Sequence, residues 1–375
     1  MAGDTRAVRE SEALDWVALT AYLREALPRQ SACLETWAKD GRDAAALLAA
    51  LTREPVVQQF GGGHSNLTYL LQFGDLGLVL RRPPLGPVPP RAHDMAREFR
   101  WLSALHPHFH LAPRPFLLCE DRAVVGSVFY VMERRQGLIV RDEEPEMVAG
   151  HPDRRDIISG LLVNTLAQLH RVDVTQPELA GLGKPAGFVA RQVQGWSERW
   201  LAAQTEDLPE MTAVAAWLAA HLPPEPARAS VVHGDFKLDN VMLDRSTARD
   251  VIAVLDWEMC ALGDPLVDLG IFLGYWLPTP GGSPDDPHDA LTTVTDRPGY
   301  WGRQAVLERY QAATGADLAR IGFYETFAVF KLAVVLQQIF VRFVRGQTDD
   351  IRFATLGSRV MRLAHRAAAL LERQS

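Results

Sequence analysis

Cysteine is scarce in this sequence: its 375 residues include three, Cys33, Cys119 and Cys260. They are far apart, odd in number and without paired spacing, which argues against a disulfide framework and against a cysteine zinc site. We therefore expect a reducing, cytoplasmic environment. The N-terminus, Met-Ala-Gly-Asp-Thr-Arg, has no apolar core, so we expect no secretory signal.

An excess of positive charge and a long uninterrupted apolar run are also missing. Lys and Arg number 39 against 46 Asp and Glu, a net charge of −7, whereas a nucleic-acid-binding protein usually has a basic face. The most apolar late stretch, 327–343, is interrupted by Lys331 and Arg342, which favours a buried amphipathic helix over a membrane span. We expect neither a nucleic-acid partner nor a membrane partner, and the oligomeric state is left open.

The order of the predicted elements indicates an α+β fold with two lobes. A helical extension at 1–54 is followed by short strands and one helix, which predict a small sheet over 55–133. The remainder, 134–375, has mostly helical periodicity, apart from a strand-rich island at 230–257. The strands are predicted at 56–60, 66–73, 78–82 and 124–132, and the helices at 92–105, 154–171, 186–203, 210–222, 302–314 and 319–345. The pattern predicts an N-terminal lobe, 1–133, and a larger helical lobe, 134–375, with the acceptor site.

The strand-rich island carries polar residues of the kinds that phosphoryl transfer needs. Asp235 follows an apolar pair, Asn240 comes five residues later, and Asp256 ends a β-branched run. Two short strands bracketing a loop would bring these three residues to one edge. Asn240 and Asp256 offer the hard oxygen ligands that Mg²⁺ prefers, and Asp235 offers a carboxylate that can deprotonate a hydroxyl. Lys237 can supply a positive charge to the moving phosphate.

This island resembles the aminoglycoside phosphotransferase family, whose members are related to protein kinases. The resemblance rests on His-Gly-Asp at 233–235, on Asn240 and on Asp-Trp at 256–257, with Leu-Gly-Asp-Pro at 262–265 and Asp-Leu-Gly at 268–270. It implies a bilobal protein-kinase-like fold in which the small lobe holds an antiparallel, nucleotide-binding sheet, and it implies ATP and Mg²⁺ as cofactors.

The same resemblance assigns expected roles in the larger lobe. Asp235 would be the catalytic aspartate, and Asn240 and Asp256 the magnesium ligands. We expect His233 to order the loop. Asp264 and Asp268 would organise the following loop and helix, and whether they also touch the site is left open.

The nucleotide-binding residues are expected in the glycine run between the first two strands and on the third strand. The glycine run lets backbone N–H groups approach phosphates closely, and a serine can add a hydroxyl; these residues are Gly61, Gly62, Gly63 and Ser65. The resemblance puts a phosphate-pairing lysine on the third strand, where this sequence has Arg81 beside Arg82. Arginine is always charged and forked, so it can hold phosphates, but this departure leaves the usual lysine geometry open.

Two further elements complete the expected nucleotide site. Glu98, on the next helix, would be the ion-pair partner of Arg81. The stretch 128–133 resembles the hinge that binds adenine through its backbone, with Met132 or Tyr130 packing on the ring. A buried sheet strand is the alternative for this stretch, and the two are compatible.

Other polar and aromatic groups allow structural interpretations. His106, His108 and His110 flank a proline and are interpreted as loop residues rather than as a metal site. Residues 142–146 predict a solvated acidic loop. Arg191, Trp196 and Trp200 stand where such kinases contact the acceptor, and core packing is an equal alternative for the tryptophans.

The acceptor is expected to be a small molecule. The sequence has no Asp-Phe-Gly and no Ala-Pro-Glu, the motifs that border a protein-kinase activation segment. It further resembles the kinase-like domains associated with acyl-CoA dehydrogenases, in 60–69, 79–84, 130–133 and 191–196, over about 55–345. The resemblance implies phosphorylation of hydroxyacyl-CoA or hydroxy acids. Since the sequence ends at residue 375, we expect no dehydrogenase domain in it.

The sequence thus predicts an ATP- and Mg²⁺-dependent phosphotransferase that acts on a small-molecule hydroxyl. Three alternatives stay open: an aminoglycoside or amino-alcohol kinase, a nucleotide-binding pseudokinase scaffold, and a metal-dependent hydrolase that uses the His-Asp cluster. The preference for ATP over GTP is also open.

Overall fold

The chain forms two compact units, Met1–Gln136 and Gly137–Ser375. The computed structural model describes residues 4–39, 41–61, 66–85, 94–151, 153–276, 294–348 and 351–374. The lobe boundary expected after residue 133 stays a prediction.

The first unit contains a six-stranded sheet in which every neighbouring pair is antiparallel. The strands are β1 (Thr5–Arg6), β2 (Val56–Phe60), β3 (Leu67–Phe73), β4 (Leu76–Arg82), β5 (Pro115–Cys119) and β6 (Phe129–Glu133). Their order across the sheet is β1-β2-β3-β4-β6-β5, so the central strand β4 pairs with β3 on one side and with β6 on the other. The expected antiparallel sheet is confirmed.

Five helices accompany this sheet: α1 (Trp16–Ala26), α2 (Ser31–Lys39), α3 (Ala44–Ala50), α4 (Met95–Leu105) and α5 (Arg122–Val125). Four of them begin after an aspartate whose side chain accepts a backbone N–H of the first turn, namely Asp15, Asp43, Asp94 and Asp121. The helices of the N-terminal extension bury Leu23, Trp37 and Leu47 in one core with sheet residues such as Tyr69 and Phe116.

The strand predicted at 124–132 is wrong over its first residues. Asp121 caps a single helical turn, α5, and Gly126 ends it with φ 81°, a left-handed conformation that favours glycine. Strand β6 therefore starts only at Phe129. The apolar run hid this turn because its valines suit a strand equally well.

The second unit is mainly helical. Its helices are α6 (Glu146–Ala149), α7 (Asp153–His170), α8 (Pro177–Ala180), α9 (Phe188–Ala203), α10 (Pro209–Ala220), α11 (Leu266–Trp276), α12 (Arg303–Thr314), α13 (Ile321–Val344) and α14 (Leu356–Glu372). Helix α13 packs against α9, α11 and α14. By length and composition α13 could cross a membrane, yet 56% of its most apolar window is buried in the structure. This agrees with a buried helix.

Two short antiparallel ribbons stand among these helices. Strand β7 (Ser230–Val232) pairs with β10 (Ala261–Gly263), and β8 (Val241–Leu243) pairs with β9 (Val251–Val254). The loop 233–240 therefore joins two different ribbons, and the strands on either side of it do not pair with each other. Asp256 directly follows the second ribbon.

Candidate active site

His233 orders the loop 233–240 from inside. Its ring is buried, and Nδ1 accepts the backbone N–H of Asp235 at 3.2 Å while Nε2 lies 2.9 Å from the carbonyl oxygen of Leu255. Since Nδ1 accepts, Nε2 donates, and the imidazole bridges the loop to Leu255, the residue after β9. The ring of Trp257 lies 4.7 Å from that of His233. This is the ordering role expected of His233.

Asp268 is the second anchor of the loop. Its fully buried carboxylate accepts the backbone N–H groups of His233 at 2.6 Å and of Gly234 at 2.8 Å, and it lies 3.3 Å from Nε2 of His170. Burial acts to raise the pKa of Asp268, but the contacts with His170 and the backbone outweigh it and hold the pKa below its usual range. Asp268 therefore contacts the backbone of the loop at His233 and Gly234.

Asp264 has a separate task at the start of helix α11. Its carboxylate accepts the hydroxyl of Tyr324 at 2.5 Å and the backbone N–H of Leu266 at 2.9 Å. Burial raises the pKa of Asp264. It organises the loop before the helix, as expected.

Two side chains contact the carboxylate of Asp235. Nζ of Lys237 lies 3.0 Å from its Oδ2, and Nδ2 of Asn240 donates to the same oxygen at 3.2 Å and to the Asp235 carbonyl at 2.8 Å. Tyr275, on α11, lies beside Lys237. These contacts fix the direction of Asp235, which is only half-buried.

Lys237 and Tyr275 keep their protons in this arrangement. The pKa of Lys237 is raised above its usual range because Tyr275, Asp235 and Asp239 outweigh the effect of burial. The pKa of Tyr275 is raised by burial and by the Asp235 charge. Nζ of Lys237 lies 4.7 Å from the centroid of the Tyr275 ring, a cation–π distance. Both groups are therefore donors at neutral pH.

Asp256 is brought to Asn240 by the backbone. The N–H of Leu255 donates to the carbonyl of Asn240 at 2.8 Å, and Asp256 follows with φ 67°, a left-handed conformation that costs energy for a side chain other than glycine. Such strain is a pointer to function. Together the two residues offer an amide oxygen and a carboxylate oxygen, the hard donors that fit Mg²⁺ when phosphate and water complete the coordination.

A pocket of about 90 Å³ opens beside the loop within the second unit. Its polar lining includes Arg141, Asp142, Lys237, Asp239 and Tyr275. Positive and negative side chains are thus balanced in this lining. The pocket therefore lies next to Lys237, which contacts Asp235.

The expected ion pair of the first unit is present. Nε of Arg81 on β4 lies 3.4 Å from Oε2 of Glu98 on α4, and both side chains are largely buried. Arg82 points to the opposite face of β4, where it is buried and donates to the carbonyl of Val125 at 3.5 Å, so it does not share the Glu98 side. Met132, on β6, faces Val79 across the sheet.

The glycine run is described only at its first residue. Gly61 is exposed after β2. Gly62, Gly63 and Ser65 lie outside the described residues, and their expected roles stay predictions.

Several other groups have structural positions. Trp196 and Trp200 are buried, and the Arg191 guanidinium donates to the carbonyls of Lys184 and Ala186. Nδ1 of His106 lies 2.7 Å from the carbonyl oxygen of Ala112, as suits a loop residue. All three cysteines are free. Within the described ranges no group of three or more His, Cys, Asp or Glu could hold a metal ion.

One expectation for this unit holds only in part, because Asp142, Glu143 and Glu146 are exposed but Glu144 is not. Residues 142–146 are not simply a solvated acidic loop, because the side chain of Glu144 is fully buried between Arg155 and Arg297, at 2.8 and 2.7 Å. Two residues that contact the loop 233–240 were not predicted at all: Tyr275 and Lys331. The sequence shows a tyrosine and a lysine within apolar helices, but it does not show that both side chains contact this loop.

Comparison with known proteins agrees with this geometry. The family model described as "Phosphotransferase enzyme family" (APH) matches residues 56–324. Acyl-CoA dehydrogenase family member 10 of Mus musculus is 33% identical over 349 residues, 92% of this chain and 30% of that protein. Member 11 of Homo sapiens is 35% identical over 306 residues, 80% of this chain and 38% of that protein. The chain thus spans well under half the length of these relatives.

Solved structures show the same fold. A putative aminoglycoside phosphotransferase of Ralstonia eutropha JMP134 superposes with a TM-score of 0.74 at 29% identity, covering 96% of this chain and 99% of that one. Aminoglycoside phosphotransferase APH(4)-Ia, solved with AMP-PNP and hygromycin B, gives 0.57 at 15% identity, covering 85% and 94%. The protein-kinase-like α+β fold is therefore confirmed, and the chain belongs to the APH phosphotransferase family as a small-molecule phosphotransferase.

Proposed function

We propose that this phosphotransferase moves the γ-phosphate of ATP, with Mg²⁺, to a hydroxyl of a hydroxyacyl-CoA or a hydroxy acid. The observation that carries the proposal is the fixed carboxylate of Asp235, held by Lys237 and Asn240. Phosphoryl transfer depends on positioning and on charge neutralisation, and this arrangement supplies the first.

Each residue then has a separate task. Asp235 accepts the proton of the acceptor hydroxyl as the oxygen attacks the γ-phosphorus, and the bond to the β-phosphate oxygen breaks to release ADP. Asn240 and Asp256 would hold the magnesium ion, which would supply charge neutralisation to the phosphates. Lys237, which stays protonated, adds positive charge beside the acceptor.

The nucleotide is assigned to the first unit. Arg81, paired with Glu98, supplies a fixed cation for phosphate, with Gly61, Gly62, Gly63 and Ser65 as backbone and hydroxyl donors and Met132 as the adenine neighbour. Related enzymes have been solved with AMP-PNP and with GDP, which supports a nucleoside triphosphate as donor.

The acceptor is inferred from relatives and from the pocket beside the loop. The relatives named for acyl-CoA dehydrogenases favour an acyl-CoA or hydroxy-acid acceptor. An aminoglycoside, being polycationic, would need an acidic pocket, whereas Arg141 and Lys237 balance Asp142 and Asp239 in this lining. Structural neighbours solved with hygromycin B or kanamycin keep the aminoglycoside alternative worth testing.

The direct test compares wild type with Asp235→Asn. The variant keeps the hydrogen-bonding shape and loses the base, so turnover should fall about 10³-fold while Mg-ATP binding, measured by calorimetry, persists. Asp244→Asn is the matched control, since Asp244 only caps the turn that follows β8. The acceptor screen contains hydroxyacyl-CoAs, hydroxy acids, aminoglycosides and amino alcohols.

Two results would contradict the proposal. Full activity of Asp235→Asn would show that Asp235 is not the catalytic base. Tight Mg-ATP binding by wild type without transfer to any acceptor, and without slow ADP release, would favour the pseudokinase scaffold.

A further inference from the structure

Lys331 is a buried cation in the most apolar helix of the second unit. Its side chain is 6% exposed, in α13, and the proposed reaction does not use it. An ammonium group is costly to bury unless nearby partners compensate its charge. Methionine or leucine could pack equally well at this position, so the presence of a lysine indicates that its ammonium group has a polar partner.

That partner is the loop that carries Asp235. The Lys331 ammonium donates a hydrogen bond to the backbone carbonyl of Gly234, and among the described residues this is its only side-chain hydrogen bond. It also lies 5.4 Å from the centroid of the Trp196 ring. Burial lowers the pKa of Lys331, and the carboxylates of Asp235 and Asp268 oppose this by favouring the charged form.

Gly234 is consequently held at both of its backbone polar groups. Its N–H donates to Asp268 and its carbonyl accepts from Lys331. Its φ is +85°, and a Cβ on this residue would lie 2.8 Å from Cβ of Met259. Glycine therefore fits this position and a residue with a side chain does not. The residue that follows is Asp235, so the orientation of the Gly234 peptides decides where the Asp235 carboxylate points.

We propose that Lys331 is a positioning residue of the phosphotransfer reaction, which fixes the Gly234 carbonyl and thereby aims the Asp235 carboxylate at the acceptor hydroxyl. The inference rests on the proposed role of Asp235. Lys331 does not line the pocket beside the loop. A long, charged side chain suits this task because it reaches the loop from α13 and balances two neighbouring carboxylates at once.

The test is Lys331→Met, which keeps the aliphatic stem and removes the ammonium. Replacing a buried charge by an apolar side chain often leaves stability unchanged or raises it. We expect an unchanged or higher Tm, a kcat lower by about 100-fold because the base is displaced, and a KM for Mg-ATP within about twofold of wild type. Lys331→Arg, which keeps the charge and the donor, should restore most of kcat.

The matched control is Gln337→Met on the same helix. Gln337 is also buried, but its side chain donates to the carbonyl of Ala203 at 2.9 Å, away from the loop 233–240. This variant should lower Tm and leave kcat unchanged. Lys331→Met should instead keep Tm and lower kcat. This difference between the two variants distinguishes a positioning role from a contribution to the stability of the core.

A second readout does not need an acceptor. Amide hydrogen exchange of the peptide 231–237 should be faster in Lys331→Met than in wild type and unchanged in Gln337→Met, since only the first frees the Gly234 carbonyl. If wild type transfers phosphate to no acceptor, the proposed function fails, and the exchange rates still decide the positioning. Unchanged exchange in Lys331→Met, or a parallel loss of Tm and kcat that Lys331→Arg does not rescue, would overturn the inference.

Discussion

Asp268 accepts the backbone N–H of Gly234 at 2.8 Å, and through this hydrogen bond helix α11 holds the loop that carries Asp235. The carboxylate is fully buried, 34 residues further along the chain than the glycine it binds. A buried carboxylate without these backbone donors would be strongly destabilising, so the loop stabilises the carboxylate and the carboxylate stabilises the loop. The geometry of the loop is therefore set by the packing of α11 as much as by its own sequence.

Gly234→Ala should damage both stability and activity. A Cβ at this place would lie 2.8 Å from Cβ of Met259 and 2.9 Å from its carbonyl oxygen, and φ is +85°. Left-handed strain and overpacking together predict a loss of about 2–4 kcal/mol in the free energy of unfolding, measured by denaturant titration. Gly315→Ala is the control, because Gly315 has φ +71° but open space around it. Equal losses in the two variants would show that the contact with Met259 is unimportant.

Tyr275→Phe should reduce turnover with little effect on folding. The variant removes a hydroxyl whose pKa is raised by burial and by the nearby charge of Asp235, and it keeps the ring beside Lys237. Loss of this polar neighbour of the Asp235 carboxylate predicts a kcat about tenfold lower, with Tm nearly unchanged. Tyr324→Phe, which removes a tyrosine–aspartate hydrogen bond to Asp264, should instead lower Tm more than kcat. A Tyr275→Phe enzyme with wild-type kcat would contradict this role.

Arg81 should matter for nucleotide affinity. Arg81→Gln removes the cation that pairs with Glu98 and should weaken Mg-ATP binding by about tenfold or more, measured by calorimetry. Arg81→Lys keeps the charge and should retain part of the affinity. Arg100→Gln on the exposed side of α4 serves as control. Wild-type affinity of Arg81→Gln for Mg-ATP would show that residues other than Arg81 bind the phosphates.

Glu144 should make stability depend on pH in the acid range. Burial acts to raise the pKa of Glu144, but hydrogen bonds from Arg155 and Arg297 outweigh it and hold the pKa below its usual value. The folded state then binds the proton less tightly than the unfolded state. The stabilisation is present above the unfolded pKa of about 4.3 and is lost as pH falls through the folded pKa.

Glu144→Gln tests this dependence. Its Tm should lie below that of wild type at neutral pH, and the difference should shrink as pH falls from about 5 to 3. Glu372→Gln, at an exposed position on α14, should follow wild type throughout. A constant Tm difference between Glu144→Gln and wild type at all pH values would refute the assignment.

Much of the fold could be predicted because local patterns agree with it. Strands β2, β3 and β4 are short runs separated by glycine-containing turns, and the predicted helices α7, α9, α10, α12 and α13 are present within a few residues. Helices α11 and α14 were missed. Helix α11 is buried almost throughout, so it has no polar face to mark a helical period.

The sequence by itself determined the group Asp235, Asn240 and Asp256, because these residues are near each other along the chain and two short ribbons suffice to join them. Only the tertiary structure decided what holds Asp235 in place. Tyr275 and Lys331 reach the loop from helices 40 and 96 residues beyond Asp235 in the numbering, and Lys331 donates to a carbonyl 97 residues away. Periodicity shows that a helix is buried, but the neighbour of each buried polar atom depends on how the helices pack.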